Sequence, residues 1–158
     1  MNTAYKFLAT AMGFGYSPFA PGTAGTLIGI VLLYPIYLWQ PELPYFSWGL
    51  IIATVIFYFV GVYCADQLEP EWGNDPSKIV LDEVIGVWIT VLFIPITLQW
   101  MILAFILFRF FDILKPLGIR KLDNIKNGHG VMLDDVLAGI YANIVLQIIV
   151  YFFPQGII

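Results

Sequence analysis

The chain has 158 residues, 60% of them hydrophobic and 11% charged, with a mean hydropathy of +0.86 and a formal charge of −4 at pH 7. A soluble domain of this length needs far more polar surface, so the composition points to an integral membrane protein: an all-α bundle forming one domain over residues 1–158. The acidic balance and the lack of a basic run argue against nucleic-acid binding. The single cysteine, Cys64 in an apolar run, excludes an intrachain disulfide or a thiolate metal cluster.

In chain order, residues 2–12 read as a short amphipathic helix at the membrane surface, with Tyr5 and Phe7 as anchors. The apolar run breaks at Gly13, Gly15 and Pro18, too early for a signal peptide. Residues 13–26, GFGYSPFAPGTAGT, carry four glycines and two prolines and no helical or strand periodicity. Irregular backbone at membrane depth is tolerated only where it lines a polar cavity or is buried in protein. The run from Thr26 to Trp39 is short for a span, so the first span is expected to begin near Thr23 and to kink before Pro35.

A proline-rich connection over 40–45 leads to a span over Phe46–Ala65, with Trp48 and Tyr63 as interfacial aromatics. Residues 66–78 read as a solvated loop holding Asp66, Glu69, Glu71, Asp75 and Lys78. Ile79–Ile96 reads as a central span with Asp82 and Glu83 one turn inside its first end. After a turn at 95–97, Leu98–Leu114 crosses back. A polar segment over 115–134 then precedes a last span over Val136–Phe153. The count is about five spans. Lys6, Lys78, Lys115, Arg120, Lys121 and Lys126 all fall on one side of that topology, and the connections on the other side hold no Lys or Arg. The N-terminus is therefore expected in the cytoplasm.

This topology brings Asp82, Glu83, Asp112, Asp134 and Asp135 to one depth, with Arg109 and Lys115 among them. Arg109, Asp112 and Lys115 are spaced by three, which puts them on one helical face. A carboxylate inside a membrane is costly, about 2.5–3.5 kcal/mol at mid-depth on insertion scales, and two adjacent ones repel. A bound cation relieves both. Oxygen ligands suit a hard divalent ion, Mg²⁺ before Zn²⁺, and interleaved cations suit a phosphate bridging to it. The backbone around Gly22 and Thr23, at a helix start, suits an anion, although the stretch lacks the Gly-Lys-Ser/Thr of a nucleotide loop.

Plainer readings stand beside these. The carboxylates could be internal salt-bridge partners of Arg109 and Lys115, and Asp134 could be a helix N-cap. Arg120, Lys121 and Lys126 read as orientation and anionic-lipid contacts, His129 as a solvated loop residue and Cys64 as packing.

Four stretches, GFGYSPFAPGTAGTL, KIVLDEVIGVWIT, FRFFDILKP and GVMLDDVLAGIYANI, together resemble the phosphatidylglycerophosphatase A family. The likeness covers residues 13–30 and 78–143. It implies a Mg²⁺-dependent phosphatase of the bacterial inner membrane that removes the terminal phosphate of phosphatidylglycerol phosphate, leaving phosphatidylglycerol. The positions matched are Gly22, Thr23, Asp82, Glu83, Asp112, Lys115, Pro116, Asp134 and Asp135. The expected roles are metal ligation by the five carboxylates, with Asp82, Glu83, Asp112 and Asp135 catalytic, and phosphate binding by Gly22, Thr23, Arg109 and Lys115. The expected partner is a phospholipid substrate on the cytoplasmic face; no protein partner is implied. Two other classes compete: a headgroup phosphotransferase, whose longer Asp/Gly/Arg pattern is absent, and a small cation carrier. A carrier needs polar residues on to the far side, where the strong candidates are Thr90 and Asn143.

Overall fold

Nine of the ten residues of the helix Leu81–Thr90 are buried, and the other helices are arranged around it. In the computed structural model, which describes residues 2–39, 42–73 and 76–154, the helices run α1 (Asn2–Ala9), α2 (Pro21–Val31), α3 (Tyr34–Trp39), α4 (Leu43–Trp72), α5 (Leu81–Thr90), α6 (Leu98–Leu114) and α7 (Gly128–Phe152). Tight 3₁₀ turns lie at Phe14–Tyr16 and Ile119–Asn124, and the described residues contain no strand. Three stretches are long and apolar enough to cross a membrane: Pro21–Trp39, Pro44–Trp72 and Gly128–Phe152.

The spanning helix expected over Ile79–Ile96 is helical only over α5. Ten residues rise about 15 Å, half of a ~30 Å hydrocarbon core. The chain leaves the helix at Val91, and the polar side chains of its neighbours satisfy the freed backbone. Asn143 Nδ2 donates to the carbonyls of Thr90 and Leu92, both at 2.9 Å, and Gln147 Nε2 donates to Leu92 O at 3.0 Å. Ser47 Oγ accepts from Phe93 N–H at 3.0 Å. Non-helical backbone at depth survives where protein supplies its partners. These bonds also give Thr90 and Asn143 structural work: Thr90 Oγ1 donates to Gly86 O at 3.0 Å.

Helix direction alternates around α5. The α2 helix runs parallel to it, with Trp88 Nε1 donating to Gly29 O at 3.0 Å and Gly25 against Val80. The α4 and α6 helices run the other way. The Phe57 ring on α4 meets Trp88 edge-on at 5.6 Å, and Phe108 on α6 lies on Gly86. The α7 helix runs parallel to α5 at very short range. A Cβ at Gly139 would strike the Gly86 carbonyl, and one at Gly86 would strike the Phe108 ring. Glycines at such crossings let helix backbones approach closely.

Elsewhere the expectations hold in part. The first span does kink, at Leu32–Leu33 just before Pro35, and α6 covers the stretch expected of it. The α4 helix continues to Trp72 through part of the expected 66–78 loop, with Pro70 in its last turn. Asp75, expected in that loop, lies outside the described residues. The α1 helix packs against α4: Tyr5 meets Tyr63 edge-on at 5.6 Å, Lys6 pairs with Glu71, and Ala9 and Thr10 are fully buried. Tyr5 is thus a packing residue, while Phe7 is exposed.

Candidate active site

The acidic cluster follows from the α5–α7 crossing. Asp82 and Glu83 sit in the first turn of α5, Asp134 and Asp135 in the second turn of α7. Gly86 lies four residues beyond Asp82 and Gly139 four beyond Asp135, so each acid shares a helix face with the glycine one turn on. Where the glycines touch, the acids a turn away must face each other. Carboxylate oxygens of Asp82, Glu83 and Asp135 all lie within 4.8 Å of one another. Asp82 Oδ1 accepts from Glu83 N–H and Asp134 Oδ1 from Asp135 N–H, both at 3.0 Å, which fixes the two acidic pairs against their own backbone.

The antiparallel α6 adds the cations. Arg109 Nη1 lies 2.5 Å from Asp112 Oδ2 and 4.0 Å from Glu83 Oε1, and Asp112 in turn reaches Asp135. Lys115 ends α6 in the left-handed region, φ 46° and ψ 51°, and places Nζ 2.6 Å from Asp134 Oδ2. A lysine in that conformation carries strain of about 1–3 kcal/mol, which persists only where the surroundings fix it. From the third side comes the start of α2. A Cβ at Gly22 would strike Glu83 Oε1 and come within 3.1 Å of Arg109 Nη1. No side chain caps α2, whose cap residue Ala20 is also left-handed, so its first-turn N–H groups at Gly22 and Thr23 lack side-chain acceptors.

Three buried atoms of the cluster make no hydrogen bond: Glu83 Oε2, Arg109 Nε and Arg109 Nη1. The Arg109–Asp112 approach is therefore an ion pair out of hydrogen-bond alignment. Unsatisfied buried groups cost about 1–3 kcal/mol each, more when charged, and such groups at one spot indicate that something else completes the site. The donor set is all oxygen. Three carboxylates with a free lone-pair atom fit a hard cation such as Mg²⁺, and the two cations fit its anionic partner.

All seven charged residues named from the sequence converge here, in two tiers. Asp82, Glu83 and Asp135 form the inner group; Asp112 and Asp134 each face a cation. Asp134 is not an N-cap, because α7 starts at Gly128, capped by Asn127 and by Asp66 Oδ1, which accepts from Gly128 N–H at 2.6 Å. The salt-bridge reading holds for the outer tier and reaches the inner one only through the 4.0 Å contact of Glu83 with Arg109, a cation that lies nearer Asp112. Cys64 is buried on α4, and His129 pairs through Nδ1 with Tyr58 OH at 2.7 Å. Sequence reasoning missed the Asp66 cap and the Gly86–Gly139 crossing. The recurrence of glycine four residues after an acid, in DEVIG and again in DVLAG, is the signal that could have shown the crossing.

Known proteins resemble this chain over most of its length. The model of the phosphatidylglycerophosphatase A family matches residues 7–150. A Bacteroides thetaiotaomicron protein provisionally named phosphatidylinositol-3-phosphatase is 46% identical over 144 residues, covering 89% of this chain and 90% of its own length. Proteins named phosphatidylglycerophosphatase A are similar too. The one from Escherichia coli is 36% identical over 161 residues, covering 100% of this chain and 90% of its own length. The one from Haemophilus influenzae is 41% identical over 155 residues, covering 91% and 87%. No solved structure matches the chain.

Proposed function

The chain belongs to the phosphatidylglycerophosphatase A family, and from that premise we propose that it hydrolyses the terminal phosphomonoester of phosphatidylglycerol phosphate to phosphatidylglycerol and inorganic phosphate. The reading includes Mg²⁺ dependence and a bacterial inner-membrane location, with the site on the cytoplasmic face. The observation that carries it is the trio of carboxylates beside Arg109, whose Nε and Nη1, like Glu83 Oε2, are buried without a hydrogen bond.

In this reading Asp82, Glu83 and Asp135 would hold the ion, with Asp112 and Asp134 as its further carboxylate ligands. Mg²⁺, when bound, supplies Lewis-acid neutralisation of phosphate charge. Arg109 donates from Nε and Nη1 to the non-bridging phosphoryl oxygens. Lys115 exchanges Asp134 for the phosphate, and the Gly22 and Thr23 N–H groups donate at the start of α2. These donors are fixed in place before charge builds up on the phosphoryl oxygens, which favours the transition state over the ground state. Water adds across the P–O ester bond: its hydroxyl stays on phosphorus and a proton passes to the departing glycerol oxygen. Water is the nucleophile because every carboxylate near the phosphate site is engaged in the cluster.

The topology that suits this chemistry has five crossings: α2–α3, α4, α5 with its irregular continuation, α6 and α7. The alternating helix directions support it, and so do the basic residues. Six of the seven Lys and Arg residues lie in connections or termini at the carboxylate end; the seventh is Arg109 itself.

The inositol-lipid name carried by the 46%-identical relative favours a second reading, in which the same chemistry serves a phosphoinositide headgroup. One experiment tests both: phosphate release by purified protein from phosphatidylglycerol phosphate, phosphatidylinositol 3-phosphate and phosphatidic acid, with Mg²⁺ and with chelator. Preferred turnover of the first lipid, only with Mg²⁺, is expected. Preference for the inositol lipid selects the second reading, and no release from any lipid overturns both.

A further inference from the structure

The cluster is walled unequally. Toward α4 and α7 it is closed by Met132 packed on Gly61 and by the Asp66–Gly128 bond. Between α6 and α7 the Phe111 and Tyr141 rings meet at 5.9 Å and Lys115 bridges to Asp134. Toward α1 and the 3₁₀ turn after it, Val80 N–H donates to Ala9 O at 2.9 Å, and Gly15 sits so close to the Lys78 carbonyl that a Cβ would strike it. At the α2–α6 seam, the wall beside Glu83 and Arg109 is a glycine, Gly22. The side chains of Glu83, Arg109 and Asp112 keep 14, 16 and 14% of their surface and those of Lys115 and Asp134 keep 21 and 12%, whereas Asp82 and Asp135 lie at the buried floor.

The rim of that seam is apolar. Ile106 and Ile113, three residues before and four after Arg109, share its helix face and are 54 and 64% exposed. Phe19, two residues before α2, is 84% exposed. A path from hydrocarbon to a guanidinium in about one helical turn fits a molecule that is apolar at one end and doubly anionic at the other.

We propose that the α2–α6 seam is the lateral portal through which a lipid phosphomonoester reaches the site. The acyl chains stay against Ile106 and Ile113 in the bilayer, Phe19 borders the opening, and the phosphate passes over Gly22 to Arg109. The missing side chain at Gly22 is what leaves room for it. This rests on the lipid-phosphatase reading above and adds the direction of approach, which that reading leaves open.

The test uses the full chain with a photoreactive benzophenone side chain at Phe19 or Ile106, and at Phe59 or Ile144 as exposed controls on α4 and α7. Each variant is placed in phosphatidylcholine vesicles with a radiolabelled phosphonate analogue of phosphatidylglycerol phosphate, which cannot be hydrolysed. The expected result is labelling several-fold stronger at 19 and 106 than at 59 and 144, suppressed by excess unlabelled analogue but not by added phosphatidylcholine. Competable labelling at 59 or 144 equal to that at 19 and 106 overturns the portal. So does its absence at 19 and 106 in protein that releases phosphate from the natural lipid. Absence of both competable labelling and phosphate release overturns the portal together with the phosphatase reading.

Discussion

Replacing Asp82 with asparagine should stabilise the protein in chelator while abolishing its response to Mg²⁺. The inner carboxylate oxygens of Asp82, Glu83 and Asp135 lie within 4.8 Å of one another. At an effective dielectric constant of about 20, two unit charges that far apart repel by ~3.5 kcal/mol, so three pairs sum to roughly 10 kcal/mol with no metal ion present, offset only in part by Arg109 at 4.0 Å from Glu83. That rivals the whole stability of a typical domain, about 5–15 kcal/mol. Asp82→Asn keeps the shape and removes two of the three repulsions. Relief of even one, at about 2–4 °C per kcal/mol for a chain of this size, raises the melting temperature on the order of 7–14 °C. The assay is thermal unfolding of wild type and variant in detergent, with Mg²⁺ and with chelator, and phosphate release measured on the same preparations. Wild type should gain strongly from Mg²⁺; the variant should start higher in chelator, gain little, and turn over poorly. A purely structural ion-pair network predicts the opposite sign, because removing one member of a buried network leaves its partner uncompensated. A variant that melts lower than wild type in chelator, with near-normal turnover, would refute the reasoning.

Three further outcomes are expected. Cys64→Ala and His129→Ala should each keep most activity, since neither touches the cluster; a hundredfold loss at either, ~2.7 kcal/mol of barrier, would reveal a missed nucleophile or base. Asn143→Leu should cost about 1–3 kcal/mol in thermal unfolding by leaving the Thr90 and Leu92 carbonyls short of donors, and turnover below the melting transition should change little. In a Cys64→Ala background, single cysteines at Ser77 and Lys126 should react with a membrane-impermeant thiol reagent from the cytoplasm and one at Tyr45 from the opposite side. Labelling of 77 and 126 from different sides would break the proposed topology.

Much of the site was legible in the sequence because intramembrane charge is expensive and therefore informative. Asp82, Glu83, Asp112 and Asp135 stood out against apolar runs, and alternating helix directions were enough to bring them together. The α6 boundaries were legible for a similar reason: Thr97 and Lys115 interrupt an otherwise apolar stretch at both ends. The depth of α5 was not. Ile79–Ile96 has the same hydropathy whether lipid or protein surrounds it, so its composition could not separate a full span from a half-length helix enclosed by its neighbours. The partners that let it stop at Thr90 come from residues some fifty positions away, Asn143 and Ser47. The start of α7 was hidden likewise. Gly-His-Gly reads as loop by local propensity, and the cap that makes it helix, Asp66, lies 62 residues upstream.

The most direct test of the account is the initial rate of inorganic phosphate release from phosphatidylglycerol phosphate in vesicles, measured for wild type and Glu83→Gln side by side with Mg²⁺ and with chelator. Glu83 is the residue that links the inner carboxylates to Arg109, and its Oε2 is a buried atom without a hydrogen-bond partner. The account predicts rapid release by wild type only when Mg²⁺ is present, and a rate for folded, membrane-inserted Glu83→Gln close to the chelator baseline in both conditions. Equal rates for wild type in Mg²⁺ and in chelator, or a Glu83→Gln protein that matches wild type, would contradict it.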